Sequence, residues 1–188
     1  MNLIIFGPPG AGKGTQADFI VNKFNLFKLS TGEVLRNEID NKTQLGKEIS
    51  SIINSGSLVS DNIVEKLVET FIADKKYKDR LIFDGYPRNL IQAKTLQELL
   101  LKNGQEINLV LKLSVSQETI IKRILERRTI ENRTDDSKEI AIKRYQTYEK
   151  STEPVIEYYK KLNLLKVIDG ERSIDQINKE ISDIISLI

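Results

Sequence analysis

The nine residues Gly7-Pro8-Pro9-Gly10-Ala11-Gly12-Lys13-Gly14-Thr15 constrain this chain more than any other stretch. They follow the apolar run Leu3-Ile4-Ile5-Phe6 and open a segment, Gln16 to Phe24, that reads as a helix. Strand, glycine-rich turn, lysine and helix, in that order, describe a phosphate-binding loop. Glycine lets the backbone fold tightly round an anion, where a Cβ would clash or block the approach. The loop N–H groups and the positive end of the helix dipole then attract the anion, and Lys13 reaches its outer phosphates. The competing reading, a glycine-rich turn with no ligand, does not account for the lysine at this spacing. Gly10, Ala11, Gly12, Lys13, Gly14 and Thr15 are therefore the candidate nucleotide-phosphate residues. The general pattern has Ser or Thr directly after the lysine, as a Mg²⁺ ligand; here Gly14 stands there and Thr15 one step on. Either Thr15 serves a phosphate or the metal, or nucleotide and water hold the metal.

Composition removes several classes of chemistry. The chain has 188 residues, enough for one domain with a substantial core. Its 29 Lys+Arg against 27 Asp+Glu give a net charge of +2, which argues against a nucleic-acid coat or a polybasic membrane anchor. With no cysteine there is no disulfide or thiolate chemistry, as suits a reducing compartment. With no histidine there is no imidazole acid–base catalysis, no phosphohistidine and no Cys/His zinc site. The longest unbroken apolar run, Leu3–Phe6, is too short for a bilayer span, and no charged leader precedes it. The expectation is a soluble, cytoplasmic protein.

Taken in order, Leu3–Phe6 is the first strand, and the helix after the loop turns Phe19, Ile20 and Phe24 inward. Leu26–Leu29 is a second strand. Ser30 with Glu33 three residues on forms a capping-box pattern, which predicts a helix from Ser30 to about Lys42. Helices follow at Leu45–Asn54 and Asp61–Lys75, so that residues 30–59 interrupt the strand–helix alternation as an insertion able to move on the core. Arg80–Gly85 is a buried strand ending in Asp84, and Tyr86-Pro87-Arg88 stops it and sets a cation beside the carboxylate. In phosphate-binding-loop enzymes such a carboxylate orients Mg²⁺ and its waters, although an Asp here can also merely cap a turn. A helix at Leu90–Leu101, a strand at Leu109–Leu113 and a helix from Gln117 to about Arg127 come next, with Arg123 and Arg127 on one face. Arg128–Asp136 is a short link. A long helix over Lys138–Leu162 carries the stripe Ala141, Tyr145, Tyr148, Val155, Tyr159 and Leu162, with Pro154 expected to kink or restart it. A fifth strand, Leu165–Gly170, precedes an amphipathic helix from Ser173 with Ile174, Ile177, Ile181, Ile184 and Ile185 inward. Five apolar strands separated by helices imply a parallel sheet covered on both faces, with ligands at the carboxyl ends of its strands.

The loop announces a nucleotide and not what is done with it. Arg36, Arg88, Arg123, Arg127, Arg133 and Arg144 lie near helix ends or turns, where a single arginine is most often a solvated face or a weak ion pair. A larger pattern decides between these readings. Gly7 to Thr15, Ser30-Thr31-Gly32-Glu33-Val34-Leu35-Arg36 and Asp84-Gly85-Tyr86-Pro87-Arg88 resemble the three signatures of adenylate kinases, and Gly14 after the lysine is usual there. The resemblance extends to Arg123-Ile124-Leu125-Glu126-Arg127-Arg128, Arg133-Thr134-Asp135-Asp136, Arg144 and Asp169-Gly170, nearly the whole chain in order.

The resemblance implies a P-loop NTPase-like three-layer α/β/α fold with a five-stranded parallel sheet. It implies a monomer that interconverts ATP and AMP with two ADP, using Mg²⁺. The core would comprise residues 1–29, 60–127 and 137–188, with an AMP-binding insertion at 30–59 and a short lid at 128–136. It assigns Thr31, Arg36, Gly85, Arg88 and Gln92 to AMP, and the backbone of Ser57, Leu58 and Val59 to its adenine pocket. Arg123, Arg127, Arg133 and Arg144 would clamp phosphates, with Lys13, Arg88, Arg123, Arg133 and Arg144 as the catalytic set. The backbone at Arg172 would meet the ATP adenine. The long lid with a Cys-bound zinc is missing, so zinc is not expected. Asn89 is more typical of uridylate–cytidylate kinases, whereas Thr31 and Gln92 are adenylate-type, and AMP is favoured. The rivals are a UMP/CMP kinase, a nucleotide-dependent switch, and a kinase with a non-nucleotide acceptor. The switch leaves Arg88 and the 30–59 insertion unexplained, and the pocket of a non-nucleotide acceptor should lack the set Thr31, Arg36, Arg88 and Gln92.

Overall fold

The structure, a computed structural model, describes the backbone of residues 1–131 and 137–188 and the side chains of 1–127 and 137–188. Five strands, β1 (Asn2–Phe6), β2 (Phe27–Ser30), β3 (Leu81–Asp84), β4 (Ile107–Ser114) and β5 (Leu165–Asp169), form one parallel sheet in the order β2-β3-β1-β4-β5. β1 sits at the centre, with Ile4 opposite Phe83 on one side and Val110 on the other. Its alternation divides the core, because successive side chains of a strand point to opposite faces. Leu3 and Ile5 pack with Ile82, Leu111, Ala17, Ile20, Ile177 and Ile181 on one face. Ile4 and Phe6 pack with Leu29, Phe83, Val110, Val68, Leu96 and Val155 on the other. Helices α1 (Lys13–Phe24) and α8 (Ile174–Ile185) supply the first face. Helices α2 (Thr31–Asp40), α3 (Gln44–Asn54), α4 (Asp61–Ala73), α5 (Leu90–Lys102) and α7 (Lys138–Lys161) supply the second. The expected doubly covered parallel sheet is therefore present. No helix among the described residues is long and apolar enough to cross a membrane.

At the amino end of the sheet, where the β1–β4 register shifts between Asn2 and Leu3, the side chain of the fully buried Asn2 adds its own bonds to the ladder. Its Nδ2 donates to Gln105 Oε1 at 3.2 Å and to the Glu106 carbonyl at 3.1 Å, and its Oδ1 accepts from Leu81 N at 3.1 Å. A buried amide paired in this way ties the start of β1 to the start of β3 and to the turn that leads into β4.

Several local expectations are corrected. α1 begins at Lys13 and not at Gln16, because Gly12, at φ +91°, completes the turn one step earlier. The Ser30/Glu33 capping box does not form: Ser30 ends β2 and its side chain makes no cap, while Glu33 is drawn to Lys28 Nζ at 3.0 Å. A capping box does form at Ser173 and Gln176. α2 stops at Asp40, where Lys42 turns the chain at φ +53°, and α4 stops at Ala73, where Asp74 caps a short 3₁₀ turn at Lys75–Tyr77. Helix α6 (Gln117–Glu131) continues past Arg127 into the expected link. The α7 assignment runs through Pro154 without a restart. Leu162 and Ile174, expected inside, are 42% and 56% exposed, each at a helix boundary where no element covers it.

Candidate active site

β1, β3 and the loops that follow them bring the sequence-predicted residues to the carboxyl edge of the sheet. The loop after β1 crosses the amino end of α6: a Cβ on Gly10 (φ +85°) would meet Ile124 Cγ1 at 2.9 Å and the Ile120 carbonyl at 3.1 Å. Gly12 gives the chain its left-handed turn into α1 (φ +91°). Ala11 is buried in the core, so it can act through its backbone alone.

Lys13, the first residue of α1, folds back over its own loop. Its Nζ donates to the carbonyls of Gly7 at 2.8 Å and Pro8 at 3.1 Å. Burial lowers its pKa to about 8, helped by the positive charges of Arg88, Arg144 and Arg127 and opposed by Asp84. The ammonium is thus costly to hold without an anion beside it. Asp84, at the end of β3, is 8% exposed and lines the cleft, and its carboxylate makes no hydrogen bond or ion pair among the described residues. An unpaired, largely buried carboxylate next to a phosphate-binding loop fits a hydrated Mg²⁺ carried in on phosphate oxygens, because Mg²⁺ keeps several waters and needs only one or two protein carboxylates.

Across the cleft, the turn after β3 builds a second cationic centre. Gly85, at φ +79°, points its carbonyl at two donors, Thr31 Oγ1 at 3.1 Å and Arg88 Nε at 2.6 Å. The peptide between Tyr86 and Pro87 is cis. Arg88 is held at its backbone too: its N–H donates to Gln92 Oε1 at 2.7 Å and its carbonyl accepts from Thr152 Oγ1 at 3.3 Å. Burial, with Arg144 and Arg36 nearby, lowers the Arg88 pKa to about 10 despite the pull of Asp84. The guanidinium stays charged at neutral pH, in a neighbourhood where like charges crowd together. Such crowding is relieved by bound anions.

Both centres face one cavity of about 530 Å³, within the range of small-molecule sites. Of the sequence-predicted residues it is lined by Gly10, Gly12, Lys13, Gly14, Thr15, Asp84 and Arg123 with Arg127 on the loop side. On the far side lie Thr31, Arg36, Ser57, Leu58, Val59, Gly85, Arg88, Gln92 and Arg144. Leu35, Ile53 and Val64 add apolar wall on that far side. Arg123 Nη2 donates to the Gly170 carbonyl at 3.0 Å, bringing α6 to the turn after β5. The Arg172 side chain does not line the cleft; it bonds the Asp169 carbonyl and Glu180. Arg133 lies outside the described residues.

Several cleft features escaped the sequence reading. Lys28 ties α1 to α2 through Asp18 at 2.7 Å and Glu33 at 3.0 Å, and Asp18 and Glu33 both line the cavity. Thr147, Tyr148, Ser151 and Thr152 of α7 complete its wall, with the buried Tyr148 hydroxyl unpartnered among the described residues. Of these only Tyr148 belongs to the apolar stripe expected along α7; Thr147, Ser151 and Thr152 flank that stripe on the side that opens on the cleft. Asn89 is absent from the cavity wall: it caps α5, its Oδ1 accepting from Gln92 N at 2.8 Å.

Comparison with known proteins agrees with the geometry. A family model described as "Adenylate kinase" matches residues 5–164. The chain is 45% identical over 213 aligned positions to an adenylate kinase of Pelagibacter ubique, covering 100% of both chains. It is 41% identical to one of Fusobacterium nucleatum, covering 98% of each, and 43% identical to one of Prochlorococcus marinus, covering 96% of each. A phosphate-binding loop and an arginine-lined pocket open on the same cleft, and the match runs the length of the chain: this protein belongs to the adenylate kinase family.

Proposed function

We propose that this nucleoside monophosphate kinase transfers the γ-phosphoryl group of ATP to AMP, forming two ADP, with Mg²⁺ on the donor. The single observation that carries the choice is that two cationic centres, Lys13 with its loop and Arg88 with Arg36 and Arg144, share one cavity. A nucleotide switch or hydrolase needs the first centre only. The apolar wall of Leu35, Val59 and Val64 beside Gln92 suits a purine acceptor. Asn89, the residue shared with pyrimidine kinases, is turned to a helix cap and does not line that wall.

In this reading the loop amides and Lys13 hold the donor phosphates, Arg88 and Arg36 hold the acceptor phosphate, and Arg123, Arg127, Arg133 and Arg144 neutralise the transferring group. Phosphoryl transfer needs positioning and charge stabilisation more than covalent help. The acceptor phosphate is already an anionic nucleophile, so no general base is assigned. Mg²⁺, when bound, would offset the negative charge of the donor phosphates, and Asp84 would hold it through water. No zinc site is proposed.

The domain reading belongs to the same proposal: a core of 1–29, 60–127 and 137–188, an acceptor-binding insertion at 30–59 and a short lid at 128–136. Closure of insertion and lid would exclude the water that would otherwise hydrolyse ATP. The enzyme is read as a cytoplasmic monomer. The test is a side-by-side assay of ATP and Mg²⁺ with AMP, CMP and UMP. AMP should be turned over fastest, with ATP hydrolysis alone far slower. Fastest turnover of CMP or UMP would overturn the choice of acceptor, and equally fast hydrolysis without acceptor would overturn the closure.

A further inference from the structure

The Gln92 amide is held in a single orientation by partners that cannot exchange roles. Its Oε1 accepts from the backbone N–H of Arg88 at 2.7 Å, and its Nε2 donates to Asp61 Oδ1 at 2.7 Å. A peptide N–H only donates and an ionised carboxylate only accepts, so turning the amide over would set donor against donor and acceptor against acceptor. Asp61, the first residue of α4, is braced in turn: Asn89 Nδ2 donates to its Oδ1 at 3.1 Å and Oδ2 at 3.2 Å. Asn89 cannot turn over either, since its Oδ1 accepts from Gln92 N at 2.8 Å. The Tyr86 hydroxyl fixes the same turn of helix by donating to the Gln92 carbonyl at 3.2 Å. Gln92 is 3% exposed yet lines the cleft. An amide has two N–H donors and two carbonyl lone pairs, and one of each is used in this network. One N–H and one lone pair remain for a ligand, in a fixed order.

We propose that the Asp61–Gln92–Arg88 lock makes the acceptor pocket select a 6-aminopurine and reject a 6-oxopurine, with Asp61 as the positioning residue that sets the selectivity. A 6-aminopurine offers an acceptor, N1, next to a donor, the 6-amino group. A 6-oxopurine offers the reverse, N1–H next to O6. A glutamine free to turn over would accommodate both; the locked one matches only the first. Base selection at this point is therefore encoded in Asp61 and Asn89, neither of which needs to touch the nucleotide. The inference rests on the AMP-kinase reading above and refines it.

The test compares AMP with IMP, which differ only at this edge of the base, as acceptors for MgATP. The wild-type enzyme should favour AMP in kcat/KM by about a hundredfold or more, the effect of two mismatched buried polar contacts. In Asp61→Asn the residue keeps its size but gains a donor, so half of the lock is withdrawn. The IMP-to-AMP ratio of kcat/KM should then rise about tenfold while KM for ATP is unchanged. General damage to the fold would lower both acceptors together and leave the ratio alone. Asn89→Ser, which keeps a capping oxygen and withdraws the brace on Asp61, should move the ratio in the same direction by about threefold. A ratio unchanged in either folded, active variant overturns the lock, as does a wild type that uses AMP and IMP equally. A wild type that ignores AMP altogether overturns the acceptor assignment instead, so the two failures are distinct.

Discussion

Lys13 Nζ donates to the carbonyl oxygen of Gly7 at 2.8 Å, so the lysine of the phosphate-binding loop is folded over the residue that opens that loop. Burial holds its pKa at about 8, below the usual 10.5, and three arginines push the same way. An approaching phosphate favours the charged amine, so nucleotide binding should raise this pKa and take up a proton. The sign follows for kcat/KM, which reports the free enzyme. kcat/KM for ATP should be flat below pH about 8 and fall about tenfold per unit above it. Calorimetry at pH 8.5 in buffers of different ionisation enthalpy should register the proton uptake, and Lys13→Met should abolish both signals. For stability the direction is opposite. The native amine binds its proton less tightly than the unfolded one, so this group's penalty is present at neutral pH and lifts as pH rises from about 8 towards 10.5.

Arg88 is fixed through Nε on Gly85 and through both backbone groups, which aims its guanidinium into the cleft. Arg88→Ala should lower kcat for ADP formation by about 10³–10⁵, the range for an arginine that completes a phosphoryl-transfer site. ATP affinity should change little, because the loop and Lys13 remain. Arg88→Lys should not restore the rate, since a point charge lacks the planar fork that binds Gly85 and a phosphate together. Steady-state kinetics with an independent ATP titration separates the two effects; unaltered turnover would remove Arg88 from the acceptor site.

The hairpin of α2 and α3 tolerates no added carbon at Gly46. A Cβ there would lie 2.0 Å from the Glu38 carbonyl oxygen and 2.8 Å from Ile39 Cα, both of them backbone. Thr43 pins the same corner, accepting from Gly46 N at 3.0 Å and donating to Glu38 Oε2 at 2.6 Å. Gly46→Ala must push the two helices apart, at a cost of about 1–3 kcal/mol for overpacking. The helices carry Arg36 and Leu35 of the acceptor wall, whereas the sheet and loop are built elsewhere. KM for AMP should therefore rise more than KM for ATP, with a modest fall in Tm. Equal rises in both would mean that the insertion does not serve the acceptor alone.

The framework of this protein was legible because its signals are periodic or local. The unbroken apolar run Leu3–Phe6 marks a strand buried on both faces, and a parallel sheet brings the loop, Asp84 and Arg88 to one edge whatever the strand order. What was not legible depends on tertiary partners. Glu33 looks like the second half of a capping box, but Lys28, poised between Asp18 and Glu33, offers it a charged partner instead. Ile174 and Leu162 continue the apolar pattern of their helices, yet the pattern does not record where the sheet stops covering them. Asp61 reads as an ordinary acidic residue in a first helical turn; only folding sets it against Asn89 and Gln92 of another helix. The arginines were singled out by a family pattern and not by spacing, since a helix-surface arginine carries no periodic signal of its own.

Lys143 joins the long helix α7 to the tip of the 30–59 segment, its Nζ donating to the Ser55 carbonyl at 2.7 Å and to Ser57 Oγ at 3.2 Å. The neighbouring Gly56, at φ +71°, leaves just enough room for the approach: a Cβ there would meet Ile140 Cγ2 at 3.0 Å and Arg144 Cγ at 3.1 Å. Because Ser57 begins the far wall of the cleft, this contact ties the position of that wall to α7 and hence to Arg144. The bonds are exposed and their net worth is about 0.5–1.5 kcal/mol. Lys143→Ala should therefore raise KM for AMP about two- to tenfold, leave KM for ATP unchanged and barely move Tm. Gly56→Ala, strained in φ and crowded against Arg144, should exceed that effect and lower kcat as well, because it displaces a cation together with the wall. If Lys143→Ala altered both substrates equally, the contact would be a general brace of the fold and not a tether of the acceptor wall.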